Sequence, residues 1–158
     1  MSLAPALDAG FRLGYRLAFQ LLRAWWFLRR PAHRGVLVAV WHGGRVLMVR
    51  PSYRRVLDLP GGSVGRREAV APAACRELGE EVGIAVAPAA LNLALEMTAW
   101  FDYRRDHVSI FELRLDAAPA IRVDRREITQ AEFIAPADVL AGRVSPFVRA
   151  YLAAAGVS

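Results

Sequence analysis

Residues 59–84, LPGGSVGRREAVAPAACRELGEEVGI, constrain this chain more than any other stretch. A Pro60-Gly61-Gly62 turn precedes a helical run in which Glu77, Glu80 and Glu81 share one face about 100° wide. The neighbouring strip carries Ala71, Cys75, Leu78 and Val82, so one side suits a core and the adjoining side a cation. Carboxylates at i and i+4 destabilise a helix by roughly 0.2–0.5 kcal/mol, and anions near its C-terminal end oppose the macrodipole. A solvated face is the ordinary fate of such a charge run. A locally unfavourable set kept behind a glycine turn points instead to an external cation. Hard carboxylate oxygens favour Mg2+ or Mn2+ over zinc. Cys75 falls on the core strip, as a small buried hydrophobe rather than a nucleophile.

The rest of the chain supplies a sheet for this helix. The segment RGVLVAVWHGGRVLMVRP (34–51) reads as two β-branched strands around a His42-Gly43-Gly44 turn. Further strands are expected at 91–101 and 107–115, separated by the polar DYRRD, with a short one at 131–136. Small helices follow near 136–141 and 145–155. Strands interleaved with helices imply an α/β sheet covered on its faces by helices. At 158 residues one domain is expected, and a single cysteine excludes an internal disulfide framework.

Gly62, five residues, Glu68, seven residues and then Arg76-Glu77-Leu78-Gly79-Glu80-Glu81-Val82-Gly83-Ile84 resemble the Nudix box at every defined position. The resemblance implies a Nudix-type α/β/α sandwich with a mixed sheet over 32–158, preceded by an N-terminal basic amphipathic helix within 1–31. It implies Mg2+-dependent (or Mn2+-dependent) hydrolysis of a phosphoanhydride bond in a nucleoside diphosphate linked to another group, a pyrophosphohydrolase activity. Glu77, Glu80 and Glu81, with a backbone carbonyl at or beside Gly62, would hold the metal, and Glu68 and Arg76 would form an orienting ion pair. A further acid often comes from the loop before the last strand. Glu127 occupies that place, with Glu132 and Glu96 as weaker candidates. Glu127 or a box glutamate would then take the proton of the attacking water.

Substrate signals outside the box are sparse. Ala99 and Trp100 stand where ADP-ribose hydrolases tend to have proline, and Tyr103 lies off the tyrosine spacing of dinucleoside polyphosphate hydrolases. Trp100, Phe101 and Tyr103 suit either base stacking or a strand end. Arg50, Arg54, Arg55, Arg104 and Arg105 suit phosphates, but surface charge is the ordinary role of each. His33, His42 and His107 are scattered without metal-ligand spacing.

Charge is uneven. Residues 1–58 hold ten arginines against Asp8 and Asp58, and residues 59–158 hold eleven against thirteen acids. A basic face attracts phosphates, nucleic acid or an anionic membrane. Within 11–30 a helix places Arg12, Arg16, Gln20 and Arg23 on one strip, and Pro31 closes it. Packing on its own domain or a homodimer mate is the ordinary fate of such a helix. A membrane-surface contact and a role at the substrate site are the other readings. Its apolar run is too short and interrupted to span a bilayer. With no secretory signal pattern at the start, a cytoplasmic location is expected, peripheral at a membrane if the helix lies there. Two other function classes remain. One is a non-catalytic Nudix nucleotide-binding or sensor module, which would not need three liganding carboxylates. The other is an RNA-end or nucleic-acid-binding protein, disfavoured because the basic helix is interleaved with Trp, Leu and Phe.

Overall fold

Valine-rich runs on either side of Gly43-Gly44 form β1 (Ala32–His42) and β2 (Arg45–Pro51) in the computed structural model of the chain. The structure describes residues 4–29, 32–123 and 125–156. Gly43 and Gly44 have φ of 56° and 75°, the hand that a two-residue hairpin turn requires. Before them lies α1 (Ala4–Arg29). After them come β3 (Gly61–Ser63), α2 (Val70–Val82), β4 (Asn92–Phe101), β5 (Arg104–Arg114), β6 (Ile128–Ile134), α3 (Pro136–Ala141) and α4 (Pro146–Ala154).

The sheet runs β4-β5-β1-β2-β6, with β3 also paired to β1. β1 lies parallel to β5 from Ala32↔Arg105 to Trp41↔Arg114. Its first half is antiparallel to β3 and its end antiparallel to β2. A strand flanked on both edges and covered on both faces should be apolar throughout, and Val36–Trp41 are all buried. Alternate side chains serve different layers. Val36, Val38 and Val40 join Ala73, Ala74, Leu78 and Val82 of α2. Leu37, Ala39 and Trp41 join Phe147, Val148, Tyr151 and Leu152 of α4. The expected mixed-sheet sandwich is the observed one.

Three boundaries differ from expectation. The polar DYRRD is no five-residue loop. Only Asp102 and Tyr103 turn, with φ of 48° and 65°, and β5 starts at Arg104. The cause is Asp106, buried in the strand and paired with Arg104 at 2.7 Å. β6 begins at Ile128, ahead of the expected 131. α1 begins at Ala4, well ahead of residue 11, and its closure at Pro31 lies outside the described residues.

α1 meets the domain along one seam of arginines and rings. Arg12 Nε donates to the Arg125 carbonyl at 2.9 Å, and Arg16 Nε to the Ser52 carbonyl at 3.0 Å. The Phe19 ring sits 4.9 Å from that of Tyr53, and Arg23 pairs with Asp102 at 3.4 Å. The arginine strip thus faces the protein, while Leu13, Leu17, Leu21, Trp25 and Leu28 face outward and exposed. No helix among the described residues is long and apolar enough to cross a membrane.

Two residues at the centre of the sheet generate predictions. At Gly61, φ is 152°, and a Cβ would stand 2.1 Å from the Val36 carbonyl oxygen and 2.8 Å from Leu37 Cα. Both obstacles are backbone in the central strand and cannot swing aside. Gly61→Ala should therefore cost on the order of 3 kcal/mol, read from urea unfolding midpoints.

Asp58 is buried, with Oδ1 accepting hydrogen bonds from the Leu59 amide (3.0 Å) and the Ser145 hydroxyl (2.9 Å). Burial pushes its carboxyl up from 3.8 to about 6, against the opposing pull of those bonds and Arg54. The folded state then holds the proton more tightly than the unfolded state. This group's contribution to stability is full below pH ~4 and falls as pH rises to about 6, by on the order of 3 kcal/mol, then levels off. In Asp58→Asn that fall should vanish. Urea midpoints from pH 4 to 7 should show the variant gaining on the wild type across the window and no further above it.

Candidate active site

A glycine turn can bring backbone amides against a helix only where no side chain intervenes. Here the Gly61 amide donates to Glu81 Oε2 at 2.8 Å, which ties the turn to the last full turn of α2. A Cβ on Gly62 would fall 2.5 Å from Glu77 Oε1, so the bare glycine makes room for that carboxylate. The helix ends at once beyond them. Gly83, with φ 73°, donates to the Gly79 carbonyl, and Ile84 donates to that of Leu78, a Schellman-type cap.

Arg76 is the hub of the loop. Its Nε and Nη2 donate to Glu68 Oε1 and Oε2 at 2.9 and 3.1 Å, a two-pronged pair, and Nη2 also donates to the Ser63 carbonyl. Its Nη1 reaches Glu77 at 2.8 Å and Glu80 at 3.2 Å. Glu68 further accepts from the Gly65 amide at 2.9 Å. The Arg76 hydrogen bonds, helped by that amide, hold the Glu68 carboxyl at about 2.

The three box glutamates differ sharply in burial. Glu80 is exposed and Glu77 half-buried, whereas Glu81 is buried. Burial raises the Glu77 carboxyl, with Arg76 pulling the other way. Burial also raises Glu81 well above the usual carboxylate range. The Gly61 bond opposes this, and the charges of Glu77, Glu127 and Asp58 reinforce it. Arg76 draws Glu77 and Glu80 toward itself and Gly61 draws Glu81. Accordingly, no group of three His, Cys, Asp or Glu side chains is gathered as a metal cluster among the described residues. The donor set nonetheless fits a divalent cation. It offers several hard oxygens on one helix face beside a side-chain-free backbone, and one of its carboxylates is buried among like charges.

The glutamates line a cavity of about 470 Å3 that also takes in Gly61, Gly62, Glu127 and Tyr53. Glu127 lies just ahead of β6, and the Tyr53 hydroxyl donates to its Oε1 at 3.4 Å. Burial, then the Glu127 charge, raises the Tyr53 hydroxyl, so Tyr53 is a neutral donor. Glu132 and Glu96 do not line the cavity. Glu132 lies on β6 beside Gln130, and Glu96, on β4, accepts from the Ser109 hydroxyl.

Sequence reasoning passed over the opposite wall. Arg54 and Arg104, which in the sequence suit either a phosphate or ordinary surface charge, are mostly buried and line the cavity. Arg54 pairs with Asp102 at 2.9 Å and Arg104 with Asp106 at 2.7 Å. His33, given no role, lines it too, its Nε2 2.8 Å from the Ser63 hydroxyl. Tyr15, Ala18, Phe19, Leu22 and Trp26 of α1 complete the enclosure. No local spacing marks these residues, because the juxtaposition of α1, β5 and the loop after β2 creates their roles. Of the three downstream aromatics, Phe101 lines the cavity, Tyr103 packs on Phe27 with ring centroids 5.3 Å apart, and Trp100 is exposed.

Comparison with known proteins agrees with this geometry. The NUDIX domain family model matches residues 31–155. Among solved structures, the MutT NUDIX hydrolase from Burkholderia pseudomallei superposes with a TM-score of 0.67 at 23% identity, covering 77% of this chain and 96% of that one. The dihydroneopterin triphosphate pyrophosphohydrolase of E. coli gives 0.60 at 25% identity, covering 75% and 91%. An Ap4A hydrolase of C. elegans gives 0.64 at 17% identity, covering 79% and 94%. A comparison with curated protein sequences finds no match. With the family match spanning most of its length, the chain belongs to the Nudix domain family and is a Nudix-type pyrophosphohydrolase.

Proposed function

We propose that the chain hydrolyses a phosphoanhydride bond in a small nucleotide, a nucleoside diphosphate linked to another group, and that its divalent metal is Mg2+, with Mn2+ as a substitute. The observation that carries this reading is the placing of Glu77, Glu80, Glu81 and Glu127 around one cavity, with Glu81 buried beneath the Gly61 amide. Glu77, Glu80, Glu81 and the Gly62 carbonyl would hold the metal. A divalent cation bound there neutralises diphosphate charge and lowers the pKa of water.

The remaining chemistry falls to the chain's own groups. Glu127 accepts a proton from the attacking water, and the Tyr53 hydroxyl, donating to Oε1, holds its carboxylate in place. The water oxygen bonds to phosphorus as the bridging P–O bond breaks, and the departing phosphate keeps that electron pair. Glu68 and Arg76 position the loop rather than touch the substrate. Release of phosphate or pyrophosphate from a panel of nucleotides tests this. Turnover should require Mg2+ or Mn2+, stop with EDTA, and fall at least a hundredfold in Glu81→Gln. Full turnover in EDTA, or in the variant, contradicts the reading.

The outward face of α1 supports a second proposal, that the protein rests on an anionic lipid surface. On this face Leu13, Leu17, Leu21, Trp25 and Leu28 are all exposed, an apolar concentration that marks an interaction site. Charge favours an anionic partner. The acid of α1, Asp8, pairs with Arg126, while Arg29, Arg55 and Arg105 are exposed on α1 and beside the residues it packs on. Sedimentation with phosphatidylserine-containing vesicles should capture the protein, neutral vesicles should not, and Leu21→Asp should release it. Failure to bind vesicles, with a dimer that Leu21→Asp dissolves, would assign the face to a second copy instead.

A further inference from the structure

α1 lies outside the residues that the family model matches, so membership of the family assigns it nothing. In the structure its inner edge nevertheless shares the cavity with the box glutamates. The cavity has two chemically different ends. One holds Gly62, Glu77, Glu80, Glu81 and Glu127. The other is roofed by Phe19, Leu22 and Trp26 of α1, over Phe101 and Phe147.

The roof is held at this end by specific contacts. The Arg104 guanidinium lies 4.3 Å from the Trp26 ring centroid, and that of Arg54 lies 5.0 Å from Phe19. Arg16 bonds the Ser52 carbonyl on one side, and Arg23 reaches Asp102 on the other. Arg104 pairs with Asp106 at 2.7 Å, whereas Arg54 and Arg23 share the single carboxylate of Asp102, and rings lie over the guanidiniums of Arg54 and Arg104. Beside these polar groups, this end presents ring face and aliphatic surface.

A diphosphate held by the glutamates leaves this part of the same cavity for its attached group. We infer that α1 is the roof of the substrate site, and that Leu22 and Trp26, backed by the buried Phe19, hold the substrate's flat aromatic group by stacking and shape rather than by reading its hydrogen-bonding edge. The inference rests on the hydrolase reading and extends it. The substrate is a nucleoside diphosphate derivative whose base is gripped but weakly discriminated, because every base has a π-face. Trp26 and Leu22 are therefore specificity-determining residues supplied from outside the family domain.

Steady-state kinetics of the full chain with Mg2+ test this, using ATP, GTP, CTP, UTP and inorganic tripolyphosphate, which has no base. Wild type should treat the four nucleotides within about tenfold of one another. Trp26→Ala should raise KM for them between about fivefold and about a hundredfold, with kcat changed far less. The effect on tripolyphosphate should be at least about fivefold smaller, and Trp26→Phe should restore most of the nucleotide KM. An unchanged KM, an equal loss on tripolyphosphate, or strong preference for one base overturns the inference while leaving the hydrolase reading intact. If wild type turns over none of these substrates, the hydrolase reading is decided by the wider nucleotide panel above, and calorimetric binding of α,β-methylene-ATP decides about the roof. Binding weakened in Trp26→Ala supports it, and unchanged or absent binding overturns it.

Discussion

Everything at the catalytic end of this molecule depends on one hydrogen bond, from the Gly61 amide to the buried carboxylate of Glu81. It forms only because α2 presses Leu78 and Val82 onto Val36, Val38 and Val40 of the central strand, bringing the helix down onto the glycine turn. That turn in turn runs so close to β1 that no side chain fits at Gly61. Hydrophobic packing therefore decides where a charged group sits. A single amide does not compensate a carboxylate that is buried near Glu77, Glu127 and Asp58, and the raised affinity of Glu81 for a proton records the deficit. A cation answers the same deficit without neutralising the ligand.

Arg76 shows how the protein manages the remaining charge. The guanidinium divides its donors among Glu68, Glu77, Glu80 and the Ser63 carbonyl, linking the loop to the helix while partly screening the two outer glutamates. The inner one, Glu81, it does not reach. The electrostatics are thus graded, from exposed and screened at Glu80 to buried and unanswered at Glu81, and the steepest demand for positive charge lies under the turn.

The elements legible in the sequence were those whose signals are local. The helix of α2 and the Gly43-Gly44 hairpin are found as read, because a few consecutive residues determine each. The buried face of α2, however, is Ala73, Ala74, Leu78 and Val82 together with Glu81, and Ala71 and Cys75 are only partly buried at its edge. The polar run at 102–106 reads as a loop on hydrophilicity alone, whereas Asp106 is buried against Arg104 within a strand. Arg54 and Arg104 carry no local mark of burial either. They are mostly covered because α1 lays Phe19 and Trp26 across them, a juxtaposition between segments far apart in sequence. The arginine strip of α1 likewise takes its role from distant segments, turning inward to carbonyls and Asp102 and leaving the leucines outside. An amphipathic pattern gives the period of a helix and leaves open which face meets the protein.

Whether the buried glutamate beneath the glycine turn belongs to a divalent-cation site is measured by titrating Mn2+ into the full chain and following the electron spin resonance of the free ion. Binding should be saturable, should raise the thermal midpoint as metal accumulates and should be at least about tenfold weaker in Glu81→Gln. Absence of binding, or equal affinity in that variant, would contradict a cation site there.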